Sequence, residues 1–214
     1  MNFIEFRNKM EPFGVFSITD IEKMFPGFTW LNLINWQKKG YILKIKKRWY
    51  CLNYNDISKD ISWLAANLIY QPSYISLQTA LSFYGLIPEA IYTITSVSAK
   101  KTNHFETPIG TFSYNKIKSQ FFGFGQTLIP GPSPNLYTEG KYKRMELIAE
   151  PEKAILDFFY LNSNYNTHED MEYLRFDHSV LNDLVDRKKL FRYLERYNNK
   201  ALNNRIDKLL STYC

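Results

Sequence analysis

Short amphipathic segments at the start of the chain predict three helices followed by a hairpin. The helices are expected at Phe3–Met10, at Ser17–Met24 with Ser17 or Thr19 as the N-cap, and at Thr29–Lys39, which Gly40 closes. After Gly40 the apolar period changes from that of a helix to that of a strand, with Leu43 and Ile45 on one face and Lys44 and Lys46 on the other. This pattern predicts two strands around a turn near Lys46, Lys47 and Arg48.

The rest of the chain mixes predicted helices and strands. Helices are predicted at Ile61–Tyr70, at Leu77–Tyr84 with Ser76 as the N-cap, from Pro151 onward, and in a tail of Ser179–Lys189, Lys189–Tyr197 and Lys200–Leu210. Strands are predicted at Ile91–Ala99, His104–Glu106, Thr111–Lys116 and Met145–Ala149, with a strand or loop at Phe121–Ile129 and loops at Gly131–Asn135 and Asn162–Asp170. The expected fold class is therefore α+β or α/β. It comprises an N-terminal winged helix-turn-helix domain, residues 1–55, and a larger mixed α/β domain, residues 56–214, with a helical C-terminus.

Positive charge is concentrated at the N-terminus. Residues 1–52 hold nine lysines and arginines against four acids, which gives +5 of the formal net charge of +6. The remaining residues carry 18 basic against 17 acidic groups and are almost neutral as a whole. A localised basic region beside a predicted helix and hairpin is typical of phosphate contact.

The third predicted helix and the hairpin supply the candidate DNA-binding residues. They are Thr29, Asn32, Asn35, Lys38 and Lys39 on the helix and Lys46, Lys47 and Arg48 on the wing. An asparagine amide can pair with adenine, threonine can meet a base edge or the thymine methyl, and lysine suits phosphate. Two alternatives stay open: Thr29 serves only as an N-cap, or the hairpin is a solvated basic turn that binds nothing.

Composition favours a soluble protein that needs no cofactor. No apolar run reaches the length of a membrane helix, and the N-terminal residues are unlike a signal peptide, so a cytoplasmic protein is expected. Cys51 and Cys214 suggest neither a disulfide framework nor a zinc site. The group His168, Glu169, Asp170 and His178 lacks the spacing of a metal site, and no metal or other cofactor is expected.

Two groups of charged residues in the larger predicted domain leave alternatives open. Glu150, Glu152, Lys153 and Asp157 can be drawn as a metal or nuclease constellation, although acids in a first helical turn and an i, i+4 ion pair are the simpler interpretation. The second group is basic and is either solvated or a further nucleic-acid surface. Its members are Lys100, Lys101, Lys116, Lys118, Lys141, Lys143 and Arg144.

Several segments resemble a known family in their order. The predicted winged helix is followed by SYISLQTALSFYGLIPE at Ser73–Glu89, ITSVSAKKTNHFETPIGTFSYNKI at Ile94–Ile117 and AEPEKAILDFFYL at Ala149–Leu161. Over nearly the whole chain, this order resembles the AbiEi antitoxins of type IV toxin-antitoxin systems. The resemblance implies a bacterial repressor that binds double-stranded DNA at its own promoter. It also implies a second domain that counters a nucleotidyltransferase-like toxin without requiring a stable complex.

The chain departs from this family in its wing. Relatives often have a glycine just before the second wing strand, where this chain has Arg48 and Trp49, so the turn lacks a residue that readily takes a positive φ. Relatives also carry more arginine in the recognition helix and wing, and lysine reads guanine less well. Two other hypotheses stand beside the antitoxin: a nucleic-acid-processing enzyme targeted by the winged helix, and a ligand-responsive transcription regulator with no toxin partner.

Overall fold

The computed structural model describes residues 1–53, 59–130 and 145–213, which form a mixed α+β fold. Residues 1–53 are called the small unit, and the other described residues the large unit. The expected domain boundary at residue 55 and the expected loop Gly131–Asn135 lie outside the described residues. Lys141, Lys143, Arg144 and Cys214 also lie outside them.

The small unit begins with helices whose ends follow local capping signals. They are α1 (Phe3–Met10), α2 (Ile18–Met24) and α3 (Trp30–Lys38), with a 3₁₀ turn at Glu11–Phe13 after α1. The Ser17 hydroxyl accepts from the backbone N–H of Asp20, and the Asp20 carboxylate accepts from the backbone N–H of Ser17 at 2.7 Å, so the pair forms a capping box that fixes the start of α2. Gly40 takes a φ of 72° just beyond α3 and lets the chain turn into the next strand.

A three-stranded antiparallel sheet completes the described part of the small unit. Its strands are β1 (Val15–Ser17), β2 (Ile42–Lys46) and β3 (Trp49–Leu52), in the order β1–β3–β2. Lys46 pairs with Trp49, so Lys47 and Arg48 form the turn, and a β-bulge shifts the register between Lys44 and Lys46. The helices and one face of the sheet enclose a core of Phe6, Met10, Phe16, Ile21, Phe25, Leu33, Trp36, Ile42, Tyr50 and Leu52.

The large unit is built around a sheet flanked by helices. The helices are α4 (Lys59–Leu68), α5 (Leu77–Phe83), α6 (Ser119–Phe122), α7 (Pro151–Leu161), α8 (His168–Tyr173), α9 (His178–Leu184), α10 (Arg187–Tyr197) and α11 (Lys200–Tyr213). The strands are β4 (Ser73–Ile75), β5 (Thr93–Ser98), β6 (Asn103–Thr107), β7 (Gly110–Lys116), β8 (Gln126–Pro130) and β9 (Met145–Ala149). Within the described residues the strand order is β6–β7–β5–β4–β9–β8. The pairs β5–β7 and β4–β9 are parallel, and the other pairs are antiparallel.

The sequence patterns missed β1, β4, α6 and α8. The prediction of a loop throughout Asn162–Asp170 is wrong, because Thr167 and Asp170 form a capping box that starts α8 inside that segment. The segment Phe121–Ile129, predicted as a strand or loop, contains the end of α6 and most of β8. Among the described helices, none has both the length and the apolar character that a membrane span requires.

The core of the large unit continues into the small unit. Val15, Ile45 and Cys51, on the back face of the small sheet, belong to the same buried cluster as Ile61 and Leu64 of α4. Cys51 is fully buried, and burial raises the pKa of its thiol to about 12, so hardly any reactive thiolate exists near neutral pH. The two units therefore share an apolar interface rather than being joined by a linker alone.

Candidate nucleic-acid interface

Helix α3 is held by one buried face and presents the other to solvent. Leu33 and Trp36 point into the core of the small unit, where the Trp36 ring lies 4.7 Å from the Phe6 ring and 5.9 Å from the Phe28 ring, centroid to centroid. Residues at i, i+3 and i+4 of a helix share a face, so burial of this pair directs the opposite side of α3 outward. The outward face is where a DNA-reading helix needs its polar groups.

The sequence-predicted helix residues lie on or beside this outward face. Thr29 is exposed at the N-cap position, and its side chain makes no capping hydrogen bond with a described residue. Asn35, Lys38 and Lys39 are exposed, and Asn32 is half-buried at the edge. Asn32, Asn35 and Lys39 share one side of α3 by helical spacing, Lys38 lies next to them, and Thr29 stands at the start of the helix.

Two apolar residues on the same face were missed by the sequence interpretation. Leu31 is 60% exposed and Ile34 is 48% exposed, so both stand among the polar residues rather than in the core. Helical spacing could have predicted their exposure, because burial of Leu33 and Trp36 leaves Leu31 and Ile34 on the other side of the helix. Apolar side chains on a reading helix can contact the thymine methyl in the major groove.

The hairpin tip exposes two further cations of the small unit. Lys47 and Arg48 form the turn between β2 and β3, and both are exposed. Neither makes an ion pair with any residue that the structure describes. Two adjacent exposed cations repel each other and favour an external anion.

Lys46 lies apart from the other predicted wing residues. The bulge in β2 turns its side chain toward the large unit, where its Nζ donates to the carbonyl oxygen of Ile69 at 3.1 Å. The same Nζ lies 3.8 Å from the centroid of the Phe105 ring and 5.0 Å from that of Tyr70. Burial, and secondarily the charge of Lys100, lower the pKa of Lys46. Strand alternation predicts Lys46 on the same face of β2 as Lys44, and the bulge moves the Lys46 side chain to the other face.

The charged segment at the start of α7 holds the residues of the alternative metal or nuclease constellation. Two of its residues belong to a buried hydrogen-bond network inside the large unit. Lys153 and Asp157, one turn apart on α7, are fully buried and form an ion pair with each other. Asp157 accepts hydrogen bonds from the hydroxyls of Tyr74 at 2.8 Å, Ser76 at 2.9 Å and Tyr197 at 2.6 Å. The ammonium of Lys153 also donates to the Tyr74 and Tyr197 hydroxyls, at 2.9 and 2.8 Å. The network fastens α7 to β4 and α10.

The electrostatics of this network follow from its burial. Desolvation lowers the pKa of Lys153, and the nearby Asp157 opposes that effect. Desolvation, followed by the Asp157 charge, holds the pKa values of Tyr74 and Tyr197 well above their ordinary range. These buried groups hydrogen-bond to one another, so they act within the network rather than on a molecule in solvent.

The neighbouring acids Glu150 and Glu152 are engaged as well. Glu152 accepts from the backbone N–H of Asp186 at 2.9 Å, and the Lys189 ammonium lies 3.0 Å from Glu152 and 3.3 Å from Glu150. Over residues 1–53, 59–130 and 145–213, no group of three or more histidine, cysteine or acidic side chains could hold a metal ion. The acids of this segment therefore bind helix α10 and its N-terminus.

No protein-family model matches the chain, and no curated protein matches it. A function for the chain has to be supported by its own residues.

Proposed function

We propose that the protein is a DNA-binding transcription regulator whose small unit is a winged helix-turn-helix. The order of its elements supports this: helix, short strand, two helices and a hairpin, with the first strand pairing against the hairpin. The observation that carries the proposal is the combination of the outward face of α3 with the exposed cations of the hairpin tip. In a helix-turn-helix the second helix of the motif, here α3, enters the major groove.

The residues divide by chemistry into base-reading and phosphate-binding groups. Asn32 and Asn35 carry amides that can pair with adenine, and Leu31 and Ile34 can pack on thymine methyl groups. The cations Lys38, Lys39, Lys47 and Arg48 meet backbone phosphates on either side of the groove. Thr29, at the start of α3, meets a base edge or a phosphate. Lys46 holds the hairpin against the large unit, since its amine already has partners there.

Titration of a fluorescent duplex from the region upstream of the protein's own gene tests this proposal. We expect Lys47→Gln with Arg48→Gln to weaken binding and to lower the slope of log affinity against log salt by about 0.9 for each phosphate that the variant no longer neutralises. Asn35→Ala should instead reduce the preference for this duplex over an unrelated one by about tenfold or more, because the variant cannot form a bidentate pair with a base.

A matched control neutralises two adjacent cations elsewhere. Arg187 and Lys188 are exposed at the start of α10, next to Lys189, whose amine contacts Glu150 and Glu152. Arg187→Gln with Lys188→Gln changes the net charge by the same amount and should leave the slope unchanged. If the native chain shows no salt-dependent binding to duplex DNA, or if the control and the hairpin variant behave alike, the proposal is wrong.

We further propose that the regulated operon encodes a toxin, as the resemblance to AbiEi antitoxins implies. The large unit would then counter a nucleotidyltransferase-like toxin without a stable complex, while the small unit represses transcription. Co-expression with a toxin reading frame adjacent to the gene provides the test, with cell growth as the readout. We expect the full chain to restore growth and the Lys47→Gln, Arg48→Gln variant to restore it equally. Lack of rescue by the full chain would exclude the antitoxin role and leave DNA binding intact.

A further inference from the structure

A second group of cations lies at one end of the large sheet. Strands β5 and β7 are parallel with Ser98 opposite Lys116, so Lys100 and Lys116 follow or end neighbouring strands at the same edge. Lys101 and Lys118 continue from them, and all four lysines are exposed. Residues 91–130 contain these four lysines against a single acid, Glu106. The end of the sheet at which β5 and β7 finish therefore carries four exposed positive charges.

The basic end of the sheet meets the hairpin of the small unit. The Lys46 Nζ lies 5.0 Å from the centroid of the Tyr70 ring, and the Lys100 Nζ lies 5.8 Å from the centroid of the same ring. The Tyr70 hydroxyl donates to the backbone carbonyl of Lys101 at 2.7 Å, which fixes the segment that carries both lysines. A row of lysines thus runs from the hairpin, through Lys46 at the Tyr70 ring, to Lys100 and Lys101.

Like charges at this seam repel each other. Lys46 and Lys100 share one aromatic ring, and neither forms an ion pair with a residue that the structure describes. Contact with the ring offsets part of the repulsion, since an ammonium is attracted to the face of an aromatic ring. An anion over the seam would offset the rest, and Lys100 and Lys101 have the exposure to reach it.

We infer that Lys100 and Lys101 bind backbone phosphates of DNA beside the site occupied by α3 and the hairpin tip. This inference rests on the proposed DNA-binding function and extends it: the large unit becomes part of the DNA-binding surface. Duplex DNA is favoured over RNA because the lysines continue the surface of the hairpin. A rod-like duplex engaged by Lys47 and Arg48 presents a regular row of phosphates that can extend over the neighbouring seam.

The test uses the full chain and the duplex from upstream of its own gene, with affinity measured across a series of salt concentrations. Lys100→Gln with Lys101→Gln should weaken binding and lower the salt slope by about 1.8, the value for two phosphate contacts. Both side chains are exposed, so the fold is retained, and circular dichroism checks this. The Arg187→Gln, Lys188→Gln variant again serves as the control of equal charge, and its slope should match that of the native chain.

The outcomes separate the inference from the proposed function. If the hairpin variant lowers the salt slope and Lys100→Gln with Lys101→Gln does not, the inference is overturned while DNA binding by the small unit stands. If the native chain fails to bind the duplex, both are overturned. If the Lys100, Lys101 variant loses affinity only for a single-stranded RNA probe, the surface serves RNA and the inference about DNA is wrong.

Discussion

Arg48 occupies a backbone conformation that its side chain disfavours. Its φ of 72° lies in the left-handed region, where a residue other than glycine is destabilised by roughly 1–2 kcal/mol. This is the position just before β3, where the resemblance to the antitoxin family implies a glycine. The hairpin therefore retains a cation at its tip at the expense of backbone strain.

Replacing Arg48 by glycine should stabilise the fold while weakening DNA binding. We expect Arg48→Gly to raise the free energy of unfolding by about 1 kcal/mol, because glycine takes a positive φ without a steric clash. Urea denaturation measures this change. Lys47→Gly is the matched control: Lys47 shares the turn but has no positive φ, so glycine there should lower the free energy of unfolding by about 0.5–1 kcal/mol. Equal effects of the two substitutions would show that Arg48 is unstrained.

At the scale of single elements, α7 depends on a buried ion pair. Asp157→Asn keeps oxygen and nitrogen atoms for the neighbouring hydroxyls but leaves the Lys153 ammonium buried without a counter-ion. Breaking such a pair from one side lowers the free energy of unfolding by about 3–5 kcal/mol. Adding Lys153→Met should recover part of that stability, because the uncompensated charge is then gone. Chemical denaturation of the native chain, the two single variants and the double variant gives the coupling energy between Asp157 and Lys153. Additive effects of the two substitutions would contradict the dependence of α7 on this ion pair.

Most elements with local signals could be predicted from the sequence, and elements that depend on partners could not; α8 was missed although its capping box is local. Three such signals act within one helical turn: the capping box of Ser17 and Asp20, the glycine after α3 and the proline at the start of α7. The predicted starts of α2 and α7 and the predicted end of α3 therefore agree with the structure to within about one residue. Strand β4 is only three residues long and buried on every side, which removes the alternation that marks a strand.

The candidate site divides in the same way. The polar edge of α3 could be predicted from helical spacing alone. The cationic turn could be predicted from the change of the apolar period after Gly40. Lys46 could not be placed from the sequence, because a bulge reverses its direction and only the fold brings Ile69 and Phe105 to its amine. The buried character of Lys153 and Asp157 also depends on distant residues, Tyr74 and Tyr197.

At the scale of the whole molecule, the near-neutral total charge of residues 53–214 conceals an uneven distribution of charge along the chain. Residues 91–130 carry four basic groups and one acid, whereas residues 145–189 carry five basic groups and ten acids. Glu150, Glu152 and Asp186 gather near the carboxyl end of β9. Since β4 runs parallel to β9 and antiparallel to β5, this is the opposite end of the sheet from Lys100. If the protein binds DNA as proposed, such a distribution would orient the end with Lys100 toward the DNA and the acidic end away from it.

The shared apolar interface predicts that both units unfold together. Val15, Ile45 and Cys51 of the small sheet contribute to the core of the large unit, so separating the units would expose buried apolar surface. Tryptophan fluorescence reports mainly on the small unit, which holds Trp30, Trp36 and Trp49, and far-ultraviolet circular dichroism mainly on the helices of the large unit. We expect the two signals to change in one coincident transition during urea denaturation.

Two neighbouring isoleucines on β2 make this expectation sharper. Ile42 belongs to the core of the small unit and Ile45 to that of the large unit, and both are buried. If the units are coupled, Ile42→Ala and Ile45→Ala should each lower the common free energy of unfolding by about 2–5 kcal/mol, as measured by either signal. A fluorescence transition that precedes the circular dichroism transition in the native chain would mean that the small unit unfolds alone. In that case the hairpin is not held by the large unit, and Lys46 would not align Lys100 and Lys101 with the cations at its tip.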